Sequence, residues 1–74
     1  MYHKDLDYIL SVFEEKDGKW VVSSNGQDYV YNTPHWRVNL TETALMFSNS
    51  YSGKQLVIYE IDSIVRISFR ENRE

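Results

Sequence analysis

The sequence predicts an α+β domain in which an N-terminal amphipathic helix precedes a strongly bent antiparallel sheet of about five strands, a meander like that of small barrels. Three observations predict this fold. Apolar residues recur with helical spacing near the N-terminus, alternate with a period of two after Gly18, and leave no connection long enough for a second helix. The 74 residues suit a single domain, 1–74, whose small core favours support from a second copy or a partner.

The N-terminal segment has the pattern of one amphipathic helix over about residues 4–15. Four apolar residues occupy the i, i+3, i+4 and i+7 positions of one helical face: Leu6, Ile9, Leu10 and Phe13. Asp5 would lie in the first turn, where the helix dipole favours an acid. The pair Asp17-Gly18 is the predicted stop signal.

Residues 19–24 and 27–32 read as two strands joined by Asn25-Gly26. Asn and Gly both accept the positive φ angles of a type I′ turn, so this dipeptide between β-rich segments predicts a two-residue hairpin. Pro34 cannot donate to a ladder and ends the second strand.

Four further segments carry strand patterns: 35–41, 43–48, 54–61 and 64–70. The third of these is apolar on both faces, which is typical of a central strand covered on both sides. In the last segment apolar residues alternate with Arg66, Ser68 and Arg70, and in 35–41 Trp36 belongs to the apolar side of a similar alternation. We therefore place the following residues in the core: Trp36, Val65, Ile67 and Phe69.

Composition excludes several classes of function. The chain has no cysteine, and therefore no disulfide, thiol nucleophile or thiolate metal site. No apolar segment is long enough to span a bilayer and no secretory signal precedes the helix, so we expect a cytoplasmic protein that is not membrane-bound. No nucleophile elbow, glycine-rich phosphate loop or paired-histidine motif is present. We expect no enzymatic activity, metal, cofactor or small-molecule substrate.

Tyrosine supplies the first candidate site. The chain has six tyrosines, two tryptophans and three phenylalanines, more aromatic surface than a domain of this size is expected to bury. Tyr29 and Tyr31 fall on one face of the second strand, and tyrosine is enriched at protein interfaces. Packing of these rings across the strands of the sheet is an equally good interpretation.

Arginine and histidine supply the other candidates. His35 and Arg37 share the solvent face of a strand on which Trp36 points inward, and Arg66 and Arg70 lie along one face of the last strand. Such side chains can bind an acidic protein surface or a phosphate backbone. The alternative is an ordinary solvent face, with charges that protect a sheet edge from aggregation.

The element order, a helix followed by about five bent strands, resembles that of Sm-like and SH3-like small barrels. Residues 58–67 are similar to the late strands of such barrels and to the end of bacterial pleckstrin-homology-like modules. The resemblance implies a small barrel and, for the Sm-like family, RNA binding. The chain has Glu60-Ile61 where the Sm-like pattern has Arg-Gly, so no functional residue is carried over.

Two functions therefore remain. The favoured one is a small non-catalytic protein-interaction module that forms a homodimer or docks on a larger protein; a small inhibitor that covers a partner's surface would share these features. The alternative is a nucleic-acid-binding small barrel that uses Arg37, Arg66 and Arg70. Eight basic against eleven acidic residues give a net charge of −3, which disfavours the alternative.

Overall fold

In a computed structural model, one helix is followed by antiparallel strands, which confirms the α+β class. The structure describes residues 1–33, 35–49 and 55–72. The elements, in chain order, are α1 (His3–Val12), β1 (Gly18–Ser24), β2 (Gln27–Asn32), β3 (Arg37–Leu40), β4 (Ala44–Asn49), β5 (Gln55–Glu60), a 3₁₀ turn (Ile61–Ser63) and β6 (Ile64–Glu71). The predicted strand 54–61 begins at Lys54, which lies outside the described residues.

The strands form two three-stranded antiparallel sheets. Sheet 1 has the order β2-β1-β6 and sheet 2 the order β3-β4-β5. Within the described ranges the strands number six, and the two sheets do not close into a barrel. The chain returns at β6 to pair with β1, so the first and last strands hold sheet 1 together.

α1 is shorter than its predicted span and ends at Val12. Glu15 has a φ of 65°, a left-handed conformation that turns the chain before Gly18 is reached. Asp17-Gly18 is therefore not the stop signal, and Gly18 is instead the first residue of β1. A Cβ atom at Gly18 would meet the carbonyl oxygen of Arg70, so the close approach of β1 to β6 requires glycine here.

The predicted hairpin between β1 and β2 is confirmed. Ser24 lies opposite Gln27, which leaves Asn25 and Gly26 as a two-residue loop. Both loop residues have positive φ, 53° and 77°, as a type I′ turn requires. The end of β1 is also fixed to the 3₁₀ turn, because the buried Ser24 Oγ donates to the carbonyl oxygen of Ser63 at 2.9 Å.

The core lies between the inner faces of the two sheets and under α1. Its buried apolar residues come from every layer: Leu6, Trp20, Val22, Tyr31, Leu45, Phe47, Ile61, Ile64 and Ile67. Phe13 anchors the helix, since its ring centroid lies 4.6 Å from that of Phe69 and 6.1 Å from that of Trp20. The outer faces of the two sheets consequently point away from each other.

The last strand departs from simple alternation. Ser23 lies opposite Arg66, whereas Ser24 lies opposite Ile64, so Val65 is the extra residue of a β-bulge. The bulge leaves Val65 77% exposed and turns both Ile64 and Ile67 inward. The prediction that Val65 is a core residue is therefore wrong. Ile67 is buried, and the half-buried Trp36 and Phe69 pack against the core, as predicted.

β5 is an edge strand, not the central strand that its sequence predicts. It pairs only with β4 in the described part of sheet 2. Val57 and Tyr59 pack against the core, whereas Leu56 and Ile58 are 58% and 56% exposed on the outer face. A strand that is apolar on both faces is here covered on one face only.

Candidate interaction surface

The two candidate tyrosines share one face of β2, as predicted. This is the inner face of sheet 1, and the two rings differ in exposure. Tyr31 is only 6% exposed, and its ring packs among those of Trp36, Phe47 and Tyr59. Tyr29, at the end of the same face, is 37% exposed and lies 5.9 Å from Tyr59 between ring centroids. Tyr31 therefore packs against other rings of the protein, as in the alternative interpretation, and its ring is not on the surface of the single chain.

The hydroxyl groups of Tyr31 and Tyr59 form a hydrogen bond between the two sheets. Burial and this hydrogen bond raise the pKa of Tyr31 far above its usual value, because both favour the neutral phenol. Tyr29 makes a local contact instead, since its hydroxyl group donates to Gln27 Oε1 at 2.7 Å. The contacts of Tyr31 and Tyr59 therefore link the two sheets, and Tyr29 is the most exposed ring of the cluster.

His35 and Arg37 are both exposed, as predicted for the solvent face, and Trp36 between them packs edge-on against Tyr31 at 5.0 Å between centroids. β3 begins at Arg37, so His35 precedes the strand. Arg37 lies opposite Ser48 on the outer face of sheet 2.

Arg66 and Arg70 lie on the outer face of sheet 1, the opposite side of the molecule from Arg37. The structure therefore does not bring the three candidate arginines together. It places Lys19 directly opposite Arg70, a neighbour that sequence reasoning missed because the pairing of β1 with β6 joins residues far apart in the chain. These three residues, Lys19, Arg66 and Arg70, form the basic face of sheet 1. Among the described strands, β6 pairs only with β1 and is an edge strand, consistent with charges that protect an edge.

An exposed apolar surface lies on sheet 2 and was not among the sequence candidates. Leu56 and Ile58 project from the outer face of β5, and Ile58 lies opposite the half-buried Met46 of β4. We call Met46, Leu56 and Ile58 the β5 patch. The apolar residues on both faces of 54–61 are the sequence feature that indicates this patch. The same pattern is also typical of a central strand that other parts of the chain cover on both sides.

In the described ranges, no group of three or more His, Asp or Glu residues could hold a metal ion. In the same part of the chain, no helix is long and apolar enough to cross a membrane. No protein-family model matches the sequence, and neither a curated protein nor a solved structure is significantly similar to it.

Proposed function

We propose that this chain is a small, non-catalytic protein-interaction module that binds a second copy of itself through β5. The observation that carries the proposal is the edge position of β5 together with its exposed apolar face. Edge strands are usually protected by charges, prolines or bulges, because their free backbone groups can pair with another chain. Residues 55–59 of β5 contain no charged residue and no proline.

Antiparallel pairing of two β5 strands about a twofold axis would join both copies of sheet 2 into one six-stranded sheet. Leu56 and Ile58 of the two copies would then lie side by side on its outer face. A stable interface takes about 800 Å² from each partner, whereas pairing of one six-residue strand covers less. We therefore expect a dimer whose population rises with protein concentration.

Light scattering across protein concentration, at low and high salt, tests self-association. Backbone pairing and apolar contact predict a dimer that persists at high salt, because screening weakens only charge interactions. Ile58→Lys should shift the equilibrium toward the monomer, because it removes the apolar contact and places two like charges next to each other across the paired strands. Val65→Lys is the matched control: this valine is also apolar and is more exposed, but lies on sheet 1.

A wild-type chain that is monomeric at every concentration would exclude the homodimer. The same surface would then serve a larger protein, and a partner captured by wild type and Val65→Lys but not by Ile58→Lys would identify it. If Ile58→Lys and wild type have the same mass and the same partners, β5 is not the interaction surface.

A nucleic-acid partner is a second candidate because of the basic face of sheet 1. Lys19 and Arg70 are paired across β1 and β6, and Arg66 lies on the same face. One carboxylate, that of Asp28, lies in the same cross-strand row as Arg66, accepts a hydrogen bond from Ser23 Oγ and reduces the local positive charge.

Fluorescence anisotropy with labelled duplex DNA and single-stranded RNA tests this second candidate. If all three cations contact phosphates, log affinity for DNA should fall with log salt concentration with a slope of about −3. Lys19→Glu should weaken binding, whereas Lys4→Glu, an exposed lysine on α1, should not. An anisotropy that does not rise with protein concentration at low salt would eliminate the nucleic-acid function.

A further inference from the structure

An open groove of about 610 Å³ lies between the C-terminal half of α1 and the start of β3. Its floor is apolar and largely aromatic, formed by Leu10, Phe13, Trp20, Trp36 and Val38. Trp20 is buried beneath it, whereas the other four side chains are partly exposed. The groove therefore offers apolar surface that an incoming side chain could cover.

The charge around this groove is predominantly negative. Four exposed carboxylates line it on the side of α1 and the following turn: Asp7, Glu14, Glu15 and Asp17. Two cations also line it, but Lys16 is engaged by Glu71 at 3.4 Å and Arg37 lies at the start of β3. The groove thus has an aromatic floor and a rim that attracts positive charge.

We propose that this groove binds an extended segment of a partner protein in which an apolar side chain is flanked by lysine or arginine. The apolar side chain would lie on Phe13 and Trp36, and the basic side chains would approach the carboxylates of the rim. A cation held over the exposed part of Trp36 gains additional attraction from the aromatic ring. An acidic segment would be repelled by the same rim, so charge defines the class of partner.

The position of β3 supports an extended conformation of the bound segment. In the described part of sheet 2, β3 pairs only with β4 and is therefore an edge strand. A groove between a helix and an edge strand suits a peptide that adds as a further strand, with backbone hydrogen bonds for affinity and side-chain pockets for specificity. The groove shares no residue with β5, so one chain can use both surfaces at once.

A second groove lies on the opposite side of α1 and differs from the first in its charge. It measures about 420 Å³ and is lined mostly by apolar residues, including Tyr8, Val12 and Ile67, with one carboxylate from Asp5. Its charge does not select a class of partner. Of these two grooves, the aromatic one with its acidic rim is therefore the one whose lining specifies the chemistry of an occupant.

Selection from a random heptapeptide display library against the purified chain tests the proposal. We expect the selected peptides to combine an apolar residue with neighbouring lysine or arginine. Glu14→Lys should weaken binding of a selected peptide about tenfold, because one attractive charge becomes repulsive. The matched control is Glu42→Lys, which makes the same charge change at an exposed position outside the groove.

Nuclear magnetic resonance locates the site. Addition of a selected peptide should shift the indole N–H signal of Trp36 and the backbone signals of residues 10–17, and leave those of β5 unchanged. Peptides that are acidic, a library that yields no binder, or shifts confined to β5 would overturn the proposal. Repeating the titration with Ile58→Lys separates the two surfaces: groove binding persists in that variant whether or not the homodimer exists.

Discussion

The ring of Tyr31 in sheet 1 stacks on the ring of Phe47 in sheet 2, with centroids 4.1 Å apart and planes inclined by 10°. Both side chains are buried, and the neighbouring hydrogen bond between Tyr31 and Tyr59 also crosses from one sheet to the other. Because no strand ladder joins the sheets within the described residues, side-chain packing carries their association. Of the two tyrosines that the sequence offers as an interface, Tyr31 thus packs between the two sheets, whereas Tyr29 is partly exposed.

The raised pKa of Tyr31 predicts a loss of stability at alkaline pH. The unfolded chain ionises this phenol near its ordinary pKa of about 10, whereas the folded chain keeps it protonated to higher pH. The contribution is therefore complete below pH about 10 and is lost as pH rises above that value, by at most about 1.4 kcal/mol per pH unit. Urea unfolding between pH about 8 and about 11 measures it.

Two phenylalanine variants isolate this effect from other groups that titrate in the same range. Tyr31→Phe should lower stability at neutral pH, because a buried hydrogen bond is lost, but its stability should depend less on pH above about 10. Tyr2→Phe, at a tyrosine that is 77% exposed, should retain the wild-type dependence. Equal slopes for all three proteins would contradict the assignment.

Substitution of Gly18 and of Gly26 should destabilise the fold for different reasons and to different degrees. A Cβ atom at Gly18 would clash with the backbone of Arg70 and the ring of Phe69, so Gly18→Ala should cost about 3 kcal/mol or prevent folding. Gly26 has open space around it but a φ of 77°, so Gly26→Ala should cost only about 1 kcal/mol of backbone strain. Chemical denaturation compares the two variants.

Asparagine substitutions distinguish a steric clash from backbone strain, because asparagine accepts left-handed φ angles but is larger than alanine. Gly26→Asn should recover part of the stability that Gly26→Ala loses. Gly18→Asn should be at least as destabilised as Gly18→Ala, since only space matters there. Recovery by asparagine at position 18 would show that β1 and β6 do not approach closely at this point.

The features that the sequence predicted well are set by local interactions. The helical stripe from Leu6 to Phe13 and the Asn25-Gly26 turn depend on residues a few positions apart, so their spacing is sufficient to identify them. The core positions of Ile67 and Phe69 also followed from alternation. The end of α1 was missed, because Glu15 adopts a left-handed conformation that is uncommon for a residue with a long side chain.

The features that the sequence did not predict depend on contacts between distant residues. Lys19 is opposite Arg70 only because the last strand returns to the first, and no local pattern encodes that return. The bulge at Val65 likewise arises from the register of β6 against Ser23 and Ser24. For β5, the apolar pattern was identified correctly, but whether its outer face is covered depends on strand order.

Glu15 is a position where substitution should stabilise the fold. Its φ of 65° is costly for an ordinary L-residue, by about 1 kcal/mol, and asparagine or glycine accepts that conformation more readily. Glu15→Asn should therefore raise the midpoint of thermal unfolding. Glu14→Asn, at the adjacent exposed residue without a positive φ, should not raise it. An equal effect at both positions would indicate a general effect of charge and not of backbone conformation.

The β-bulge in β6 predicts opposite sensitivities for two apolar residues of the same strand. Ile67 is 8% exposed and Val65 is 77% exposed, although both fit one alternating pattern in the sequence. Ile67→Ala should cost about 2 to 5 kcal/mol, as expected for a buried isoleucine. Val65→Ala should cost less than about 1 kcal/mol, because it removes mainly strand propensity at an exposed site. Urea denaturation of both variants gives the comparison. A large loss at Val65 with a small loss at Ile67 would mean that β6 pairs with β1 in a different register, which would also move Arg66 and Arg70 off the outer face of sheet 1.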